Sequence, residues 1–237
     1  MATALVLARA GYTVHAGMRT PAASPELASL AAQEKLPLHI HMMDVDSDSS
    51  VDDAFARIFA HGPVDVLVNN AGVEHYGSIE EVPLARFRAC METNYFGALR
   101  CTQAVVRRMR ERGSGVIVNV TSVSGRIAST PLAAYSASKW ALEAVSEALA
   151  QEMKPFGVRV AVVQPGIIDT RMARNIGGMG DSQFYPNGKR LAALFAASLS
   201  QPRPATMVGD KIREIIVTPC ATRLDPTPLR SLPGVPP

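Results

Sequence analysis

Val64-Asp65-Val66-Leu67-Val68 is a β-branched, largely apolar run that ends in Asn69-Asn70-Ala71-Gly72. Bounded by turn residues, such a run reads as a strand buried on both faces. Working outward, comparable runs recur at Tyr12 to Met18, Leu38 to Met42, Gly115 to Val120 and Val158 to Val163. Between them the sequence takes on helical spacing, over residues 2–10, 25–35, 48–60, 84–111 and 133–154. Gly11 stops the first of these helices, and Asp48 or Ser49 is placed to cap the third. Apolar strands separated by helices predict an α/β fold, a doubly wound parallel sheet in three α/β/α layers. In such a sheet ligands bind beyond the carboxyl ends of the strands. The residues directly after each strand are therefore the ones to search.

The 237 residues suit one domain. Residues 1–170 carry the alternation, and 171–237 form a looser carboxyl-terminal segment. Glycines with Ser, Asn and Pro over 174–188 predict a mobile loop, followed by helices near 188–200 and 206–217 and a Pro-rich tail from Pro219. Hydrophobic residues at 47% and charged residues at 19% supply enough apolar material for a packed core. The net charge of +3 is small, and the clustered Arg107, Arg108, Arg110 and Arg112 read as a solvated helix terminus. No basic stripe with interleaved aromatics points to nucleic acid. Three cysteines without C-x-x-C spacing argue against a disulfide framework or a zinc site, so a reducing, cytoplasmic location and no metal are expected. Cys90 and Cys101 read as small core or interface residues. No apolar run reaches the ~18–20 residues that a membrane span needs.

The strongest local pattern for chemistry is Tyr135-Ser136-Ala137-Ser138-Lys139. Positions i and i+4 share one face of a helix, so Tyr135 and Lys139 can address one site. A tyrosine of pKa near ~10 is protonated at neutral pH, and a nearby ammonium lowers that value and makes it a usable acid/base. The alternative is an amphipathic pair at a helix surface. Ser122 follows the strand Val116-Ile117-Val118-Asn119-Val120, where its hydroxyl would face the ligand crevice or else cap a turn.

In combination these residues resemble the short-chain dehydrogenase/reductase family. Asn69-Asn70-Ala71-Gly72 matches the family's N-N-A-G, and Asn94 in Thr93-Asn94-Tyr95-Phe96-Gly97 matches the asparagine of its catalytic tetrad. Ser122 stands thirteen positions before Tyr135, Lys139 completes Y-x-x-x-K, and Pro165-Gly166-Ile167-Ile168-Asp169-Thr170 matches the P-G motif. The resemblance implies an oxidoreductase interconverting an alcohol and a carbonyl, with Tyr135 exchanging the proton and Ser122 orienting the substrate oxygen. Lys139 would lower the tyrosine pKa and hold the nicotinamide ribose, and Asn94 would seat a water linking Lys139 to solvent. Asp44 and Val45 would meet the adenine; Asn70, Ala71 and Gly72 would let the backbone approach the cofactor. Pro165, Gly166, Ile168 and Thr170 would line its carboxamide and phosphate end, although Thr170 can also cap the next segment.

Arg19, at the end of the second family strand, favours NADP over NAD. An arginine there accommodates a 2′-phosphate, and no Asp or Glu occurs between residues 1 and 25. Met172, Met179 and Phe184 make a small or lipophilic substrate the expectation, with the Gly177–Gly180 loop closing over it. The resemblance also implies a homodimer or homotetramer through the helices near 84–111 and 133–154. In one respect the sequence departs from the family, which begins with a strand and a T-G-x-x-x-G-I-G turn. This chain is read as starting inside the helix after that turn, hence as a Rossmann-like domain lacking its first strand and pyrophosphate turn. That departure keeps open a second reading, a catalytically silent binding or regulatory protein or an inactive fragment. A doubly wound hydrolase would need a G-x-S-x-G elbow, which is absent.

Overall fold

The computed structural model describes residues 1–174, 182, 184–201 and 203–218. The order of elements is α1 (Ala2–Arg9), β1 (Val14–Met18), α2 (Pro25–Gln33), β2 (Leu38–Met42), α3 (Asp48–Phe59), β3 (Val66–Asn69), α4 (Leu84–Met91), α5 (Gly97–Arg112), β4 (Gly115–Val120), α6 (Ala133–Met153), β5 (Val158–Val163), α7 (Arg171–Arg174), α8 (Asn187–Leu199) and α9 (Thr206–Val217). Among the described residues every strand pairing is parallel, the Rossmann-like arrangement that the alternation predicts. The pairings divide into two sheets, β1–β2 and β3–β4–β5. The Gly177–Gly180 loop, Met179, Cys220 and the Pro-rich tail lie outside the described residues.

β4 is the middle of the larger sheet, with Val66 of β3 opposite Val116 and Val158 of β5 opposite Gly115. Successive strand side chains point to opposite faces. Ile117, fully buried, therefore enters one core with Val51 and Phe55 of α3, Val105 and Met109 of α5, and Met153 of α6. Val116 and Val118 enter the other, with Leu7 of α1 and Ile212 and Ile215 of α9. Val14 of β1 and Val66 and Val68 of β3 pack against this second cluster, so apolar contact joins the two sheets. Arg159 of β5 donates to the carbonyls of Ile215, Ile216 and Thr218, holding the carboxyl end of α9 where a cation suits the helix dipole.

Local differences from the sequence reading have local causes. Ser47, extended at φ −123°, caps α3 by accepting from the Ser50 N–H at 3.3 Å, whereas Asp48 lies inside the helix and pairs with Arg100. The helix expected over 84–111 is interrupted by a π turn at Glu92–Phe96. Gly11 ends α1 at φ +89°, a left-handed conformation that glycine adopts without a Cβ penalty. Cys90 and Cys101 are buried and free, as expected of small core residues. No described helix is long and apolar enough to cross a membrane.

Four imidazoles meet at the smaller sheet. His15 of β1 and His39 and His41 of β2 share one face, and His61, just beyond α3, packs against them. The His15 ring lies 5.1 Å from those of His39 and His41, and its Nδ1 is 2.9 Å from His41 Nε2. That contact requires one donor and one acceptor nitrogen. Burial, then the neighbouring imidazoles, hold the His15 pKa below its ordinary value. His41 is lowered by burial, Arg57, His39 and His61. Both groups therefore stabilise the fold fully above the unfolded histidine pKa, and that stability is lost as pH falls through their depressed folded values. The melting temperature should drop between about pH 7 and pH 5. Differential scanning fluorimetry should show a flatter profile for His15→Gln, and an unchanged slope would refute this.

Candidate active site

The site is assembled where β4 and β5 run into loops and α6 begins. Tyr135 and Lys139 lie one turn apart near the start of α6, with the Lys139 Nζ 5.7 Å from the Tyr135 ring centroid. Lys139 is only 4% exposed, and its ammonium donates to the Val120 carbonyl at 2.9 Å. Ser122, two residues past the end of β4, accepts from the Ser124 N–H at 3.1 Å and lies 3.5 Å from the Pro165 carbonyl. Its hydroxyl also interacts with the Tyr135 phenol. The three residues picked out by spacing are thus brought together.

Asn94, within the π turn, is 1% exposed. Its Oδ1 accepts from the Val73 N–H at 2.8 Å, and its Nδ2 donates to the Val73 carbonyl and to Ser138 Oγ, both at 2.9 Å. It therefore ties the loop after β3 to α6. In that loop Gly72 comes so close to the π turn and α6 that an added Cβ would lie 3.2 Å from Asn94 Oδ1 and 3.7 Å from Lys139 Nζ. The backbone approaches this closely because Gly72 carries no side chain.

Proton affinities depart from the sequence expectation. Burial pushes the Tyr135 phenol up to about 12, with the Ser122 hydrogen bond opposing. Burial pulls Lys139 down to about 8. Desolvation of the phenolate dominates, and the charges of Glu74 and Cys90 raise the phenol further. Tyr135 is therefore protonated at neutral pH, the form that donates.

The other expected residues are placed as follows. Arg19 follows β1, exposed, and makes no side-chain hydrogen bond or ion pair among the described residues. Asp44 and Val45 follow β2; Asp44 Oδ1 accepts from the Asp46 N–H at 3.1 Å, and Val45 is buried. Asn70 and Ala71 are exposed beyond β3. Pro165, Gly166, Ile168 and Thr170 follow β5, half-buried. Thr170 Oγ1 accepts from the Ala173 N–H at 3.1 Å, so it does cap the short α7.

A cavity of about 790 Å³ opens beside this assembly, with Glu74, His75, Tyr76, Arg86, Arg171 and Met172 in its wall. Phe184 is 78% exposed and does not line it. None of the polar residues in that wall was picked out from sequence, because no motif marks them. Glu143 was also missed, although its position four residues after Lys139 puts it on the same helix face. It is buried, accepts from Thr121 at 2.5 Å and Gln164 at 2.8 Å, and lies 3.6 Å from the Arg126 guanidinium.

Residues 1–179 match the family profile described as short chain dehydrogenase. The chain belongs to the short-chain dehydrogenase/reductase family. It is 38% identical over 169 residues to an uncharacterized oxidoreductase of Bacillus subtilis (strain 168), YusZ, covering 70% of this chain and 60% of that one. It is 39% identical over 150 residues to the 3-dehydrosphinganine reductase of Danio rerio, covering 62% of this chain and 45% of that one. A solved short-chain dehydrogenase from Streptomyces avermitilis superposes with a TM-score of 0.78 at 34% identity, covering 92% of this chain and 80% of that one. The chain spans roughly half to three-fifths of the length of these two curated relatives.

Within this family member, Asn94 is a buried amide with three protein partners. Asn94→Ala strands the Val73 N–H and carbonyl and should destabilise the fold by roughly 1–3 kcal/mol. Urea denaturation followed by circular dichroism checks this; a loss well under 1 kcal/mol would mean that water replaces the amide.

Proposed function

We propose that the protein is an NADP(H)-dependent oxidoreductase that interconverts an alcohol and a carbonyl, with Tyr135, Ser122, Lys139 and Asn94 as its working residues. The observation that carries this reading is the convergence of the Tyr135 phenol, the Ser122 hydroxyl and the Lys139 ammonium at the ends of β4 and β5. Tyr135 holds a proton at its Oη for transfer to the substrate oxygen, and Ser122 donates a hydrogen bond that orients this oxygen as negative charge develops.

A nicotinamide dinucleotide fits the residues present. The buried Lys139 ammonium has three N–H donors and gives one to Val120, which leaves donors for a ribose diol beside the open backbone at Gly72. Asp44 and Val45, which follow β2, would meet the adenine, and the exposed Arg19 after β1 suits a 2′-phosphate better than a bare ribose. Asn70, Ala71, Pro165, Gly166, Ile168 and Thr170 would complete the binding edge along the larger sheet. When bound, the dinucleotide supplies or accepts the hydride. A protonated Tyr135 is the form that donates its proton in carbonyl reduction.

The substrate would occupy the cavity beside Tyr76. Exposed Phe96 and Trp140, from the π turn and α6, support a homodimer or homotetramer through these helices. Free cysteines accord with a cytoplasmic location.

Fluorescence titration should show NADPH binding more tightly than NADH, and Tyr135→Phe should keep that binding. The same substitution should lower carbonyl reduction by roughly 10²–10⁴-fold. Reduction should also weaken as pH rises through about 8, where Lys139 loses its ammonium. Absence of NADPH binding by the folded chain would favour the silent binding role instead.

A further inference from the structure

Glu74 stands two residues beyond Gly72, half-buried, in the wall of the cavity. Its Oε1 accepts a short hydrogen bond from the Tyr76 hydroxyl, which fixes the carboxyl group against the cavity. Among the described residues its second oxygen has no hydrogen-bond partner, and its burial raises the carboxyl pKa. Glu74 also lies close enough for its charge to raise the Tyr135 phenol and the Cys90 thiol. Arg86 and Arg171 share the cavity. The carboxyl group therefore stands in the cavity wall two residues from Gly72, where an added Cβ would lie 3.7 Å from Lys139 Nζ, with acceptor capacity still to be filled.

We propose that Glu74 is a specificity-determining residue, which accepts a hydrogen bond from a hydroxyl or ammonium group on the carbon next to the substrate carbonyl. The inference rests on the carbonyl-reducing role proposed above and narrows its substrate class to α-hydroxy and α-amino ketones. A ketone lacking such a donor leaves the Glu74 oxygen desolvated and unpaired, which is the physical source of the discrimination. Tyr76 acts as its positioning residue. The reduction balances without Glu74: the carbonyl carbon gains a hydride, the oxygen gains the Tyr135 proton, and Glu74 only holds the neighbouring substituent.

The test compares α-hydroxyacetophenone, α-aminoacetophenone and acetophenone as substrates with NADPH. In parallel, calorimetry compares binding of phenylglycol with that of α-methylbenzyl alcohol. The full chain should prefer the donor-bearing ketones by at least about tenfold in kcat/KM and bind phenylglycol more tightly. Glu74→Leu should abolish both preferences; Glu74→Gln, which retains an acceptor oxygen, should keep that for the hydroxyl and lose that for the ammonium. Equal reduction of all three ketones, or preferences that survive Glu74→Leu, would overturn the inference while leaving the oxidoreductase role standing. No reduction of any ketone, together with phenylglycol binding that Glu74→Leu removes, would overturn that role and support the recognition by Glu74.

Discussion

Three consecutive residues at the exit of β4 are each tied to one face of α6. Asn119 donates to Ser146 at 2.8 Å, the Val120 carbonyl accepts from Lys139 at 2.9 Å, and Thr121 donates to Glu143 at 2.5 Å. Positions 139, 143 and 146 follow the helical spacing that keeps side chains on one side. Burying an amide, an ammonium and a carboxylate is costly unless each finds partners; the amide and the ammonium do, and the carboxylate does through Oε1, while its Oε2 lies 3.6 Å from the Arg126 guanidinium without a hydrogen bond. The network reaches sideways as well, because Asn69 of β3 donates to Asn119 and Gln164 after β5 donates to Glu143. All three strands of the larger sheet are thereby referred to the helix that carries Tyr135. The placement of Ser122, one residue beyond this seam, follows from it.

The smaller sheet is attached differently. Its connection to the larger one runs through apolar packing of Leu7, Val14, Val66 and Val116 and through α9, rather than through a shared ladder of hydrogen bonds. Hydrophobic contact holds surfaces together without fixing direction as a ladder does. Arg19 and Asp44 follow strands of this smaller sheet, whereas Asn70, Ser122 and Pro165 follow strands of the larger one. The two groups of proposed cofactor residues therefore stand on different sheets.

The alternation of strands and helices was legible because each element carries its own period, and the strand ends were legible because turn residues mark them. Tyr135, Lys139 and Ser122 could be picked out because their spacing is fixed by one helix and one strand exit. Other features depend on contacts distant in sequence. The π turn follows no local rule, since Asn94 is held in place by Val73 and Ser138. The pKa of Tyr135 reflects the bulk of protein packed around the phenol, which the Y-x-x-x-K spacing does not report. Glu74 and Glu143 are ordinary acidic residues in the sequence, and only burial separates them from solvated ones. The cap of α3 lies one or two residues before the expected Asp48 or Ser49 because Ser47, Asp48 and Ser49 are all competent caps.

The π turn at Glu92–Phe96 has a further consequence for how this chain can change. Such a turn is an α-helix that has absorbed one extra residue, and a single residue corresponds to about 100° of rotation around the helix axis. On one side of it Cys90 faces the loop after β3; on the other Cys101, Val105 and Met109 face the sheet. The extra residue reconciles these two faces. Deleting one residue here would relax the turn into regular helix and rotate one half against the other, so that either the loop beside Tyr135 or the core beneath α5 loses its lining. Substitutions can be absorbed along this stretch more readily than changes in its length.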